Sequence, residues 1–476
     1  MTRIIQTPTR KSRAAKALCL VALMASAAPL SAAPVSASPP ASSPTAVPFT
    51  GDLAPGKELI REGTLGGEAP YSLIKPAIWN GAIVVMPGRP DLAGVTARWL
   101  VEQGYGVIGY DFTANWDLEL NRDNAGAAVK VFTTVAGEPE TVVVNGRSQG
   151  GLTTRIIAGS RPEWLDGALP MCGGGAGSVS TWNYKLDTAF ALRELVDPGS
   201  PMRIQGITDR QAELQAMNDL VATAASTPEG RARSVLAAAL GKIPAVDPAT
   251  DREIPETDLD ARIDRYIDHL PFAMGSHVRA GYEQTVGGVF SWNTGVDYVR
   301  SLKESGRWSE IMAAYRAAGI SLEEDLDALA SAKRLSADPE AVAFVERTAT
   351  FTGELSVPVL SLHTNGDGAG TTADDQAYAS VVRSTGSSPL LRQLFVSADG
   401  HCTFTPAEEI ASLQVLFERI EDGRWGATSP QALSSVAAEV RARSELDLGA
   451  SRFTQVSTAG TPARMWDARD WGSYSR

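Results

Sequence analysis

The stretch Gly146-Arg147-Ser148-Gln149-Gly150 places a serine between two glycines at the spacing G-x-S-x-G, directly after the apolar run Thr141-Val142-Val143-Val144 and before a helical stretch from Leu152 to Ala158. A strand that reverses into a helix within so few residues holds the serine in a strained backbone conformation, and side chains on the flanking positions would collide, hence the glycines. Such a turn raises the hydroxyl above the sheet at a helix N-terminus, where backbone N–H groups point at any oxyanion that forms. The chemistry this suits is nucleophilic attack. A serine hydroxyl is a weak nucleophile at neutral pH, however, and needs a base within hydrogen-bond reach, usually histidine.

Four histidines make the choice short. His269 and His277 lie in the helical insertion between Gly173 and about Leu355, and His363 sits inside an apolar run, where a satisfied core histidine is the expectation. His401 follows the last β-like run through Ser397-Ala398-Asp399-Gly400 and precedes a helix, which makes it the candidate base. The carboxylate that would fix its tautomer is assigned to Asp367, in His363-Thr364-Asn365-Gly366-Asp367-Gly368, directly after the penultimate run. Asp374, Asp375 and Asp399 are its rivals: the first two are expected to begin a helix, and Asp399 stands very close in sequence to His401. Arg147 is open between a surface charge and a substrate contact. A Ser148, His401 and Asp367 set needs no metal and no cofactor, and no His/Cys/Asp cluster has ligand spacing.

These residues must be positioned by the elements around them. From Gly81 onward short β-rich runs alternate with amphipathic helical stretches, the pattern of a parallel sheet covered on both faces. The runs are 82–86, 106–112, 141–144 and 167–171, with helices expected over 92–103 and 124–135. From Gly173 to about Leu355 no comparable β-like run occurs, only helical stretches such as 210–225, 232–240, 259–269 and 309–318, which suggests a helical insertion or lid. Trp182, Phe190, Phe272, Met274, Tyr282, Phe290 and Trp292 are its candidates for lining a pocket, most of them being expected as ordinary core. The alternation resumes with runs at 357–363 and 390–396 and helices over 372–382 and 406–420; two weaker helical pieces and a tail with Trp466, Trp471 and Tyr474 close the chain.

The N-terminal segment differs in kind. Arg3, Arg10, Lys11, Arg13 and Lys16 precede an apolar run from Ala17 to Leu30 and then small residues, the layout of a secretory signal peptide over 1–37, too short in its apolar part for a membrane helix. An uncleaved N-terminal anchor is the alternative reading. Residues 38–50 read as a flexible Pro/Ser/Ala-rich leader. Loss of five basic and no acidic groups with the signal takes the net charge from −12 to −17, which argues against nucleic acid as a partner. Of three cysteines, Cys19 leaves with the signal, so Cys172 and Cys402 remain in an oxidising compartment; one disulfide is expected, with two buried free thiols as the alternative.

Taken together, the strand order, the G-x-S-x-G elbow, the acid after the penultimate strand and the histidine after the last one resemble the α/β-hydrolase superfamily. The resemblance covers roughly residues 80–172 and 356–421, with 173–355 in the position of that fold's cap. It implies an α/β architecture: a mostly parallel sheet flanked by helices, its first half over 51–172, a helical cap over 173–355, its second half over 356–423, and an extension over 424–476. It also implies an oxyanion hole with one donor from Gln149 and one from Met86-Pro87-Gly88-Arg89, namely Arg89 with Gly88 as alternate. Gly400-His401-Cys402 is similar to secreted tannase and feruloyl esterase relatives, in which a disulfide ties the histidine loop to the nucleophile; here no cysteine adjoins Ser148, and the available partner for Cys402 is Cys172. The activity implied is hydrolysis through an acyl-enzyme, first of carboxylic esters, small or polymeric, with a peptidase using the same triad as runner-up and a non-catalytic ligand-binding protein as a third reading. The product would be secreted or periplasmic, without a stable membrane anchor.

Overall fold

A computed structural model describes residues 58–112 and 116–456, so the expected signal peptide, the leader and the aromatics at 466, 471 and 474 lie outside the described residues. Nine strands form one sheet in the order β1-β2-β4-β3-β5-β6-β9-β10-β11. They are β1 (Leu59–Thr64), β2 (Pro70–Lys75), β3 (Ala82–Pro87), β4 (Gly106–Tyr110), β5 (Thr141–Arg147), β6 (Gly167–Met171), β9 (Val359–Gly366), β10 (Leu391–Asp399) and β11 (Phe453–Thr454). The pairs from β4 through β10 are parallel, while β1, β2 and β11 add antiparallel edges. The β1–β2 hairpin was not expected: it lies before Gly81, and β1 exposes most of its residues, so it carries no continuous apolar run.

The central strands read as unbroken apolar runs because both faces are covered. On β3, Val84 and Met86 pack toward α1 (Val95–Glu102) and α14 (Pro406–Asp422), and Ile83 and Val85 pack toward α2 (Leu118–Ala136). The nucleophile turn leads into α3 (Gln149–Ser160), and β9 is followed by α13 (Thr372–Ser384). After α14, among the described residues, comes one helix, α15 (Pro430–Ala442); two weaker helical pieces were expected after Gly423, and residues 457–476 lie outside the described residues.

Between β6 and β9 lie α4 (Ser178–Val196), α5 (Arg210–Ser226), α6 (Pro228–Leu240), α7 (Leu259–Met274), α8 (Ser276–Val286), α9 (Tyr298–Glu304), α10 (Trp308–Ala318), α11 (Leu322–Ser331) and α12 (Pro339–Ala349). This insertion has a hydrophobic core of its own, centred on α4, α5, α6 and α7. Its strands are confined to a short antiparallel pair, β7 (Val246–Asp247) with β8 (Arg252–Glu253), two residues each. Helix α4 escaped the sequence reading because it is buried on nearly every side, polar residues included, and so lacks the one-sided pattern that marks a surface helix. None of the described helices is long and apolar enough to cross a membrane.

Candidate active site

Ser148 sits at the junction of β5 and α3 with φ +55°, a left-handed conformation that a non-glycine residue adopts only where its surroundings enforce it. The flanking glycines are required by contact: a Cβ on Gly146 would lie 2.2 Å from the Gly150 carbonyl oxygen, and one on Gly150 would lie 2.7 Å from that of Pro87. The Ser148 N–H donates to the Met171 carbonyl at 3.0 Å, tying the turn to the end of β6.

The structure brings the three expected residues into one line. Ser148 Oγ lies 2.7 Å from His401 Nε2, and His401 Nδ1 lies 2.6 Å from Asp367 Oδ2. Asp367 is fully buried; its Oδ1 accepts from the N–H groups of Ala369 at 2.8 Å and Gly370 at 3.2 Å. Burial by itself would raise its pKa, but the charges and hydrogen bonds of His401 and His363 outweigh it and hold the carboxyl well below the usual range. The rivals are committed elsewhere. Asp399 Oδ1 meets His269 Nε2 at 3.0 Å and its Oδ2 meets Arg265 at 3.3 Å; Asp374 accepts from the Tyr184 hydroxyl at 3.0 Å.

His363 is the buried, satisfied histidine expected, yet what satisfies it belongs to the site. Its Nε2 lies 3.2 Å from Asp367 Oδ2 and 2.9 Å from the Gly370 carbonyl oxygen, and its Nδ1 bonds Asp375, which in turn pairs with buried Arg155 at 2.6 Å. Burial lowers the imidazole's affinity for a proton, but the carboxylates of Asp375 and Asp367 reverse this and push its pKa up to about 10. With acceptors at both nitrogens, His363 is an imidazolium at neutral pH. The sequence placed Asp375 only as a helix-opening residue; nothing in its spacing shows that α13 returns it to face β9.

A second buried hub lies behind the elbow. Glu409, in the first turn of α14, accepts from Arg89 at 2.8 Å, Asn145 at 2.7 Å and Thr96 at 2.7 Å, and pairs with Arg147. Its desolvation is outweighed by the two guanidinium groups, which hold it ionised well below the usual carboxylate range. Arg147, open in the sequence, thus braces the turn through Glu409. Nothing in the sequence singles Glu409 out: it follows Glu408, which completes the capping box with Thr405, and both acids stand in the first turn of the helix. Of the expected oxyanion donors, Gln149 opens α3, where the first N–H groups have no intrahelical acceptor. Gly88 is corrected: its N–H donates to the Tyr110 carbonyl at 2.7 Å and is not available. The Arg89 N–H makes only a long turn contact, 3.3 Å, with the Met86 carbonyl.

A cavity opens over Ser148 and His401, walled by Trp116, Leu152, Trp182, Lys185, Phe272 and Val278 among others, so α4, α7 and α8 of the insertion roof it. Of the candidate lining residues, Trp182 and Phe272 face it; Phe190, Met274, Tyr282, Phe290 and Trp292 are core. The Phe272 ring stands edge-on to His401 with centroids 5.0 Å apart. Cys172 and Cys402 are bonded to each other, and their sulfurs and a His401 ring nitrogen lie within 4.8 Å of one another, so the disulfide pins the histidine loop to the end of β6.

Strand order, elbow, and the acid and histidine after β9 and β10 together give this chain the α/β-hydrolase fold. No family model matches it. It is 26% identical over 450 residues to an o-phthalyl amidase of Xanthobacter agilis, covering 86% of this chain and 94% of that protein. Among solved structures it is similar to feruloyl esterase B from Aspergillus oryzae (TM-score 0.37, 15% identity, covering 77% of this chain and 80% of that one). It is also similar to the acylaminoacyl peptidase of Pyrococcus horikoshii (TM-score 0.34, 10% identity, covering 81% of this chain and 44% of that one).

Proposed function

We propose that the protein is a serine hydrolase that cleaves amide and ester bonds of carboxylic acids through an acyl-enzyme. The observation that carries this reading is the continuous hydrogen-bonded line from Ser148 Oγ through His401 to Asp367 at the floor of the cavity. Ser148 Oγ attacks the scissile carbonyl carbon while its proton passes to His401 Nε2. The oxyanion is held by the N–H of Gln149, with that of Arg89 as second donor once it leaves its long turn contact. His401 then protonates the departing amine or alcohol. Water, deprotonated by the same imidazole, attacks the acyl-enzyme and releases the acid and free Ser148. Asp367 holds Nδ1–H toward itself and stabilises the imidazolium formed in each half-reaction.

The ester reading drawn from the sequence and an amide reading share this mechanism. The amide reading is favoured by the likeness to an o-phthalyl amidase over most of both chains, and the aromatic walls Trp116, Trp182 and Phe272 suit an aromatic acyl group. The helical insertion would act as the cap that shapes this pocket, and the N-terminal segment would direct the protein to the periplasm or medium, which the N-terminal mass of the natural product tests. For the reaction itself, purified protein and Ser148→Ala are compared on benzoyl anilides and esters and with a fluorophosphonate probe. Turnover and labelling by the wild type alone support the triad; an unlabelled wild type with no turnover of either series would overturn it.

A further inference from the structure

Lys185 is the one ammonium among the described residues that lines the cavity with Ser148 and His401. It projects from α4 and is only 7% exposed. A buried ammonium is ordinarily matched by a carboxylate. Here none lies within ion-pairing distance among the described residues; the recorded acceptors are two backbone carbonyls at the end of α7, Ala273 at 3.1 Å and Phe272 at 3.5 Å. With three donors on the nitrogen and one of these contacts at the limit of a hydrogen bond, at least one N–H is left for the cavity.

The charged groups around it do not supply the missing partner. Asp367 is taken up by His401 and His363, and Asp374, bonded to Tyr184 through one oxygen and without a partner at the other, makes no ion pair with Lys185, while Arg279, against the Trp182 ring, adds a like charge. Burial pushes the ammonium down to about 8, the more remote pull of Asp374 and Asp367 being too weak to offset it. The remaining walls, Trp116, Trp182, Leu152, Val278 and Phe272, offer no charge.

We propose that Lys185 is a specificity-determining residue that binds a carboxylate on the acyl part of the substrate, so that the preferred substrates are mono-amides or mono-esters of aromatic dicarboxylic acids. This rests on the serine-hydrolase reading above. The acyl side is chosen because the ammonium lies 5.9 Å from the centre of the Trp182 ring, one of the aromatic walls assigned above to the acyl group, so carboxylate and aromatic ring are placed on the same part of the substrate. One substrate carboxyl forms the scissile bond; the other stays ionised and replaces, for the ammonium, the water it lost on burial.

The carbonyl contacts admit a purely structural role, in which Lys185 caps the C-terminal end of α7. A ratio separates the two. The mature enzyme, Lys185→Met and Lys185→Arg are compared on 4-nitroanilides of 2- and 3-carboxybenzoic acid, of their uncharged methyl esters, and of benzoic acid carrying the carboxylate on the aniline instead. The wild type is expected to favour a carboxylated acyl group by at least about tenfold in kcat/KM; Lys185→Met is expected to reduce that ratio by about ten- to hundredfold, and Lys185→Arg to retain most of it. An unchanged ratio in Lys185→Met, a wild-type preference for uncharged acyl groups, or an equal preference for the aniline-borne carboxylate overturns the assignment. Should Lys185→Met fail to fold, inhibition of the wild type decides: benzene-1,2-dicarboxylate should inhibit at least about tenfold more strongly than its monomethyl ester, and equal inhibition overturns the proposal. Failure of the hydrolase reading is distinct, since it would show as no turnover of any acyl compound and no fluorophosphonate label on Ser148.

Discussion

Replacing His363 by glutamine should reveal a buried cation through the pH dependence of stability. The imidazole is fully buried with Asp375 on one nitrogen and Asp367 and the Gly370 carbonyl on the other, and its pKa is pushed up to about 10 from an ordinary 6.5. A folded-state value above the unfolded one means stability that is fully present below about pH 6.5 and lost as pH rises through about 10. At roughly 1.4 kcal/mol per tenfold change in proton affinity, the full rise corresponds to on the order of 5 kcal/mol. Glutamine keeps hydrogen-bonding capacity but no charge, leaving the Asp375 and Asp367 carboxylates short of a cation; breaking such a buried pair typically costs about 3–5 kcal/mol. Urea unfolding followed by tryptophan fluorescence, with the disulfide intact, would be run for both proteins between pH 6 and 10. The expected outcome is a stability gap of several kcal/mol at pH 6.5 that narrows by up to about 1.4 kcal/mol per pH unit toward pH 10. Taking the difference between the two proteins cancels titrations they share, including those of buried lysines. A gap that stays constant across this range would refute the imidazolium and the argument built on it.

Three further outcomes are expected. Asp367→Asn should lower kcat by about 10³–10⁴-fold while Asp399→Asn, whose carboxylate meets His269 and Arg265, stays within about tenfold of wild type in the same anilide assay. Glu409→Gln leaves the Arg89 and Arg147 charges unmatched and should cost about 3–5 kcal/mol at pH 7. Because the folded pKa values of Glu409 and Asp367 are depressed, the stability they contribute is present above about pH 4 and lost as pH falls below it, so the Glu409→Gln deficit should shrink in acid-denaturation curves. Cys402→Ser opens a crosslink between residues 230 apart and should destabilise by up to about 5 kcal/mol, read as a lower Tm, with a lower kcat because the His401 loop loses its anchor.

The parts of the site that were legible are those with a local signature. Ser148 was marked by glycines that a sharp strand-to-helix turn requires, and His401 and Asp367 by their place just after apolar runs, where a parallel sheet delivers residues to one edge. Gly88 misled because it carries the right backbone freedom; which way its N–H points depends on the Tyr110 carbonyl of the neighbouring strand. Lys185 gave no signal, since a lysine in a helix is ordinarily a solvated one and α4 has no exposed face to betray its burial.

What the sequence by itself determined was the alternation that builds the sheet, the elbow and the order of serine, acid and base, because each depends on spacing along the chain: backbone geometry within a turn, or period within an element. What only the tertiary structure decided was the electrostatics of the site. His363 with Asp375, Glu409 between Arg89 and Arg147, and Lys185 without a carboxylate each depend on which side chains from distant elements share a volume from which water is excluded. There the interaction of charges is governed by separations of a few ångströms and by lost hydration, neither of which is written in the order of residues.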